Sequence, residues 1–429
     1  MTHPIPSVHA TVARNTLALA GAQVANLALP LVTLPYLLRV LGVEQFGVYG
    51  FCQAVLAYAV VLADYGFNLS ATERIAQAQQ KPETINRIFW SVQAAKLILA
   101  LGALGLLGLV VWATPQLRAH WPVLLASAPV VLGSVLFPLW LFQGLERMVF
   151  VTVCTIAARA LAIPLIFWTV QTTEDTWLAA LIQACGPLIA GLFACGFIWH
   201  QRLVGWAAPH WRDVRQAYSD GWHIFLSTAA ISLYTNTNSV LLGLMTNHTA
   251  VGLFSAADKI RLACQGLITP FSSAVYPRVS ALVAQSPQAG LALVRKVLFI
   301  QGGLTFILSC GLWLLAPWIV QFIMGTQFDA AVSVLRVLSP LPFLIGLSNV
   351  FGIQTMLPLG LKKSFSRIVL ASGLINIILM LVLAPRWEAE GAAAAVLLTE
   401  GLVTLIMVLV LRKNNICLLS TSNTSSNQA

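Results

Sequence analysis

The stretch IFWSVQAAKLILALGALGLLGLVVW fills residues 88–112 and contains one charge, Lys96. About 20 consecutive apolar residues, wound as a helix, cross roughly 30 Å of hydrocarbon. Lipid offers no hydrogen bonds, and a helix satisfies its own backbone. The stretch therefore reads as a transmembrane helix, and similar runs recur along the chain near 15–38, 46–63, 121–142, 148–170, 176–199, 221–243, 250–276, 297–323, 331–357, 366–384 and 391–411. The expected fold is an all-α membrane protein of about 12 transmembrane helices.

Composition agrees. Of the 429 residues 58% are hydrophobic and 9% are charged, and the mean hydropathy is +0.83. A soluble domain carries roughly a quarter charged residues, so this chain cannot cover its surface in water. No polar stretch is long enough for a soluble catalytic domain, which argues against most enzyme classes. The first apolar run is too long for the core of a signal peptide and reads as the first span. The seven cysteines show no CxxC spacing, so neither a disulfide framework nor a metal site is expected.

Lys and Arg set the orientation. With both termini inside, sixteen cations fall in inner segments, and only Arg39, Arg118 and Arg386 fall outside. The positive-inside rule then places both termini in the cytoplasm. It also explains the net charge of +10 through anionic lipid rather than nucleic acid. Tryptophans such as Trp112, Trp121, Trp140, Trp168 and Trp199 sit at or near span ends, as an interfacial belt requires.

The inner loop at 201–220 divides the chain into an N-terminal lobe at 1–200 and a C-terminal lobe at 221–413, with a polar tail at 414–429 expected to be disordered. Phe46-Gly47-Val48-Tyr49 opens the second span, and Val251-Gly252-Leu253-Phe254 opens the eighth, 205 residues later. This weak repeat implies two six-helix lobes related by a pseudo-two-fold axis along the membrane normal. Binding sites in such transporters are expected between the lobes.

Charges inside spans are costly, at about 2.5–3.5 kcal/mol each at a helix centre, and are functional candidates. The set is Lys96, Arg159, Asp258, Lys259, Arg261, Arg336 and Glu400. Asp258 and Arg261 are three residues apart and share a helix face. Lys259 points about 200° away from Arg261 and cannot use the same partner. The surplus of positive charge suggests an anion site suited to phosphate, pyrophosphate or an acidic sugar. Snorkelling and structural pairing are the plainer alternatives for each charge. In the seventh span Ser227, Thr228, Ser232, Thr235, Asn236, Thr237, Asn238 and Ser239 form a polar run. It either lines a hydrophilic path, with Asn236 and Asn238 binding sugar hydroxyls, or acts as interhelical glue. Prolines within spans, among them Pro129, Pro138, Pro270 and Pro340, allow bends. No Walker lysine motif, HExxH or dinucleotide loop occurs. Energy would then come from an ion gradient, with possible proton or sodium coupling, or from the substrate's own gradient.

Three stretches carry a family resemblance. Asp64-Tyr65-Gly66-Phe67-Asn68-Leu69-Ser70-Ala71-Thr72, Phe142-Gln143-Gly144-Leu145-Glu146-Arg147-Met148, and Phe254-Ser255-Ala256-Ala257-Asp258-Lys259-Ile260, continuing to Tyr276-Pro277-Arg278, resemble Wzx-type O-antigen flippases. These belong to the polysaccharide transporter family of the multidrug/oligosaccharidyl-lipid/polysaccharide exporter superfamily. Phe254 departs from the family, where Tyr is frequent. The resemblance implies a multi-pass protein of the bacterial inner membrane. It implies translocation of an undecaprenyl-pyrophosphate-linked oligosaccharide between leaflets by alternating access, and association with membrane lipids, an O-antigen polymerase and a chain-length regulator. The competing readings are a drug or metabolite exporter of the same superfamily, which should carry surplus carboxylates, a membrane glycosyltransferase, which should have a large outer loop, and a structural subunit.

Overall fold

Breaks between helices fall where proline removes a backbone donor or where a residue takes positive φ. The computed structural model describes the backbone of residues 8–78, 81–416 and 418. Within that set it describes side chains from Val32 onward, apart from residues 230, 231, 233, 234, 270, 273 and 274. The tail beyond 418, and with it most of the segment expected to be disordered, lies outside the described residues, as does Cys417.

Helix α1 (Val8–Asp64) is interrupted at Gly42, with φ 70° and ψ 178°, and so holds the first two expected spans. After α2 (Phe67–Gln77) and α3 (Pro82–Ala113) come the short α4 (Pro115–Arg118), α5 (Trp121–Ser127), α6 (Pro129–Leu136) and α7 (Leu139–Gly144). The fourth span is thus segmented at Pro129 and Pro138, where Phe137 is extended because a residue preceding proline is driven from the helical region. Helices α8 (Met148–Thr169), α9 (Thr176–His200) and α10 (Trp211–Met245) follow. Next are α11 (His248–Gly266), α12 (Thr269–Gln285), α13 (Pro287–Ile319), α14 (Ala331–Leu338), α15 (Leu341–Phe351) and α16 (Lys362–Lys413). Helix α16 is broken at Glu388, φ 46°, just after Pro385, and holds the last two spans.

Among the described residues no strand occurs, and eight segments are long and apolar enough to cross a membrane. One of these, Lys362–Lys413, contains two spans; most of the first expected span precedes Val32, where the first of the eight begins; α10 and the α11–α12 pair fall outside the eight, and the arrangement is consistent with twelve. The chain is an all-α multi-pass membrane protein.

Packing divides the chain into two compact units, Met1–Gly252 and Leu253–Ala429. The boundary falls within α11, and α10 belongs to the first unit. In that unit α1 packs on α3, α8 and α10, and α9 packs on α6 and α8. Gly47 and Gly252, the glycines of the internal repeat, meet face to face. A Cβ on Gly47 would collide with the carbonyl of His248, and one on Gly252 with the carbonyl of Val43. Only glycine allows two helices to approach so closely. In the second unit Val279, Val297, Leu298, Val350, Met356 and Met407 form the core, gathered from α12, α13, α15 and α16. Trp140 does not join the interfacial belt. It is wholly buried, because the segmented fourth span turns its ring into the core with Phe67, Phe89 and Phe142.

Candidate functional site

Lys96 is almost completely enclosed and donates to Asp64 Oδ1 at 2.8 Å and to the Ser134 carbonyl at 2.6 Å. Asp64 is not among the charges expected within spans, because it stands just past the end of the second span, where a carboxylate ordinarily meets water. A buried ammonium needs a compensating anion, and that requirement was the signal available to find it. Asp64 reduces the surplus of cations within the spans.

Arg159 lies on α8 and lines a cavity of about 270 Å³ inside the first unit. The cavity sits among α1, α6, α8 and α9, with Thr33, Thr155 and Gln183 as its other polar side chains. Among the described residues no carboxylate lines it. The guanidinium has five donors in a rigid fork suited to phosphate oxygens, and the apolar remainder of the wall strengthens any charge interaction made there.

The pairing expected in the eighth span is present. Arg261 Nε donates to Asp258 Oδ1 at 2.6 Å, and Nη1 donates to Gln265 Oε1 at 2.5 Å. Lys259 is exposed, on another face as the helical spacing requires. Arg336 is exposed at the end of α14 and lies over the Trp313 ring, 5.4 Å from its centroid, a cation–π arrangement that suits an interfacial cation. Glu400 is buried in α16.

The polar run of α10 divides its roles. Thr237 Oγ1 is 2.6 Å from Tyr58 Oη of α1 and joins two helices. Asn236 donates to Ser232 Oγ at 2.9 Å within its own helix. Asn238 is buried, and its Oδ1 has no partner among the described residues.

The first two of the resembling stretches meet at one end of the unit. Helix α2 packs on α7, with Thr72 Oγ1 donating to the Trp140 carbonyl and to Gln143 Oε1, both at 3.2 Å. Tyr65, at φ 44°, stacks on Phe225 at 4.6 Å between centroids. The segment leading into α10 is fastened beside them. Arg87 grips Asp213 with both Nε and Nη2, Gly205 N donates to Asn86 Oδ1 at 2.7 Å, and Arg74 pairs with Asp220 at 3.4 Å.

A histidine pair missed by the sequence reading lies before the fourth span. His120 Nε2 and His248 Nε2 are 2.7 Å apart, so one ring must be the donor and the other a neutral acceptor. Burial lowers the pKa of both; His248 lowers that of His120 further, while Glu44 opposes the shift. A depressed histidine pKa favours the neutral form, so the unfolded chain binds more protons once pH falls below about 6.5. The contact is intact above that value and is lost as pH drops through the lowered pKa. The thermal midpoint of the purified protein should fall between pH 8 and pH 5, and His120→Asn should flatten that dependence. An unchanged slope in the variant would assign the pH sensitivity elsewhere.

This arrangement of helices is shared with known transporters. The lipid II flippase MurJ, in an inward closed conformation, superposes with a TM-score of 0.73 at 12% identity, over 93% of this chain and 87% of that one. An inward-facing multidrug-resistance MATE family transporter superposes at 0.68 with 14% identity, over 94% and 96%. The chain therefore shares the fold of these two transporters. Residues 12–283 match the family described as polysaccharide biosynthesis protein, and the chain belongs to that family. It is 40% identical over 407 residues to a protein of Escherichia coli (strain K12) named "Putative O-antigen transporter", covering 94% of this chain and 97% of the relative. A Shigella dysenteriae protein of the same name is 30% identical, over 90% and 96%. A protein of Haloferax volcanii named "Probable low-salt glycan biosynthesis flippase Agl15" is 22% identical, over 90% and 80%.

Proposed function

We propose that the protein carries an undecaprenyl-pyrophosphate-linked oligosaccharide, an O-antigen repeat unit, from the cytoplasmic to the periplasmic leaflet of the bacterial inner membrane by alternating access. The observation that carries this reading is the Arg159 cavity, with one guanidinium, neutral hydrogen-bonding side chains and no carboxylate among its lining residues. Those groups suit a pyrophosphate linker, and the two relatives named for O-antigen transport supply the glycan. Both termini are cytoplasmic in this reading, supported by the distribution of Lys and Arg. The protein is a transporter rather than an enzyme. Proton or sodium coupling and association with a polymerase and chain-length regulator belong to the same proposal.

The drug-exporter alternative needs a carboxylate-lined cavity for cationic cargo. The Arg159 cavity has the opposite character, and two of the membrane carboxylates, Asp64 and Asp258, are already paired to cations.

Loss of the protein should leave the finished oligosaccharide-lipid on the cytoplasmic leaflet, since assembly needs no outer-leaflet step before polymerisation. The test extracts lipid-linked oligosaccharide from cells lacking the protein and assigns its leaflet by accessibility to an impermeant reagent. Accumulation on the outer leaflet would overturn the reading and leave the exporter alternative ahead.

A further inference from the structure

A second cavity, of about 410 Å³, lies wholly inside the second unit, among the end of α11 and helices α12, α13 and α15. Its volume falls within the range of small-molecule sites, roughly 300–1,000 Å³. Its chemistry differs from that of the Arg159 cavity. Among the described residues no charged side chain lines it, yet amides and hydroxyls do: Gln265, Thr269, Ser272, Tyr276, Gln301 and Asn349.

One wall is held rigid by a buried amide network. Gln301, 1% exposed, donates from Nε2 to the Gly346 carbonyl at 3.0 Å and accepts from Ser272 Oγ at 3.1 Å and from Gln354 Nε2 at 3.3 Å. Gln354 is fully buried, and its Oε1 has no partner among the described residues. Arg261 fixes Gln265 by donating to its Oε1, which leaves Nε2 as a donor. The Thr269 and Tyr276 hydroxyls, both exposed, and the Nδ2 of half-buried Asn349 have no hydrogen-bond partner among the described residues. Hydrocarbon offers polar groups no hydrogen bonds, so the unspent donors and acceptors of Thr269, Tyr276 and Asn349 around this cavity suit a polar ligand.

The ligand class follows by elimination. A phosphate would enter a site with no cation in its lining, at a large desolvation cost. An acyl chain would cover the amides and hydroxyls without bonding them, which is also costly. A neutral sugar ring offers hydroxyls that both donate and accept, and an apolar face for Pro342, Ile345 and Ile353. We infer that this cavity is a glycan subsite, which receives an uncharged sugar of the lipid-linked oligosaccharide. The inference rests on the flippase reading and adds to it a second contact, separate from that of the linker.

The test uses the full-length protein in lipid nanodiscs and three probes: undecaprenyl pyrophosphate without sugar, the lipid-linked repeat unit extracted from cells lacking the transporter, and the glycan released from it. The wild type should bind the glycosylated lipid at least tenfold more tightly than the sugar-free lipid, and the released glycan should compete. Thr269→Val combined with Asn349→Leu should erase that difference and leave affinity for the sugar-free lipid unchanged. Tyr276→Phe, which removes one hydroxyl and little volume, should reduce the difference severalfold and guards against a folding defect in the double variant. A difference that survives in all variants overturns the subsite. Equal binding of both lipids by the wild type also overturns it but leaves the flippase reading intact. Binding of neither lipid removes that reading and the subsite with it.

Discussion

Arg159→Glu is expected to abolish surface polysaccharide while the protein still inserts and accumulates. The side chain stands in a cavity with a largely apolar wall and no carboxylate among its described lining residues. Two unit charges about 4 Å apart interact by roughly 4 kcal/mol at an effective dielectric of 20. Reversing the sign turns that attraction into a repulsion of similar size, so affinity for the pyrophosphate should fall by more than a thousandfold. Arg159→Ala removes the attraction alone and should be less damaging. Arg159→Lys should keep partial function, since it preserves the charge and loses the bidentate fork. The measurement is the rate of lipid-linked oligosaccharide transfer in reconstituted vesicles, normalised to protein. Wild-type transfer by the Glu variant would remove this cavity from the transport path.

The second large effect concerns folding. Asp64→Ala should sharply lower the amount of protein in the membrane, because Lys96 would be left as an enclosed ammonium with only the Ser134 carbonyl beside it. Removing one partner of a buried ion pair costs about 3–5 kcal/mol. Lys96→Ala should be milder, because the Asp64 side chain is 29% exposed against 1% for Lys96 and the stranded carboxylate keeps some solvation. The double change Asp64→Leu, Lys96→Met should restore accumulation, as apolar replacement of a whole buried pair is often tolerated. Transport by the double variant separates two roles for Lys96. Recovered protein with recovered transport makes the pair structural, whereas recovered protein without transport places Lys96 on the substrate path. Normal accumulation of Asp64→Ala would show that Lys96 does not depend on this carboxylate.

These two positions also show what could be read from the sequence. Arg159 and Lys96 were legible as candidates because any charge inside an apolar run of 20 residues is conspicuous against the cost of lipid exposure. Their environments were not legible. Lys96 proved to be paired across α1, α3 and α6, while Arg159 lines a cavity. The i, i+3 pairing of Asp258 with Arg261 was readable because both ends lie on one helix. The His120–His248 contact joins residues 128 apart in sequence, and no local pattern announces such a meeting. The glycan subsite was invisible for a related reason. Gln265, Gln301 and Asn349 are ordinary polar residues of three different helices, and only their convergence makes a cavity.

By itself the sequence determined the class of the protein, its helical spans and the orientation expected for them. Hydropathy over 20 residues and the placement of Lys and Arg are properties of the local chain against the bilayer, and need no knowledge of which helices touch. The glycine repeat at Gly47 and Gly252 was visible as a motif, but that the two glycines meet was decided by packing. Tertiary structure alone decided which charges are neutralised and which line a cavity, because the energy of a buried charge depends on neighbours from distant parts of the chain. It also drew Trp140 from the expected interfacial belt into the core, since two prolines segmented the fourth span and turned the ring inward, where burying it excludes more apolar surface from solvent than an edge position would.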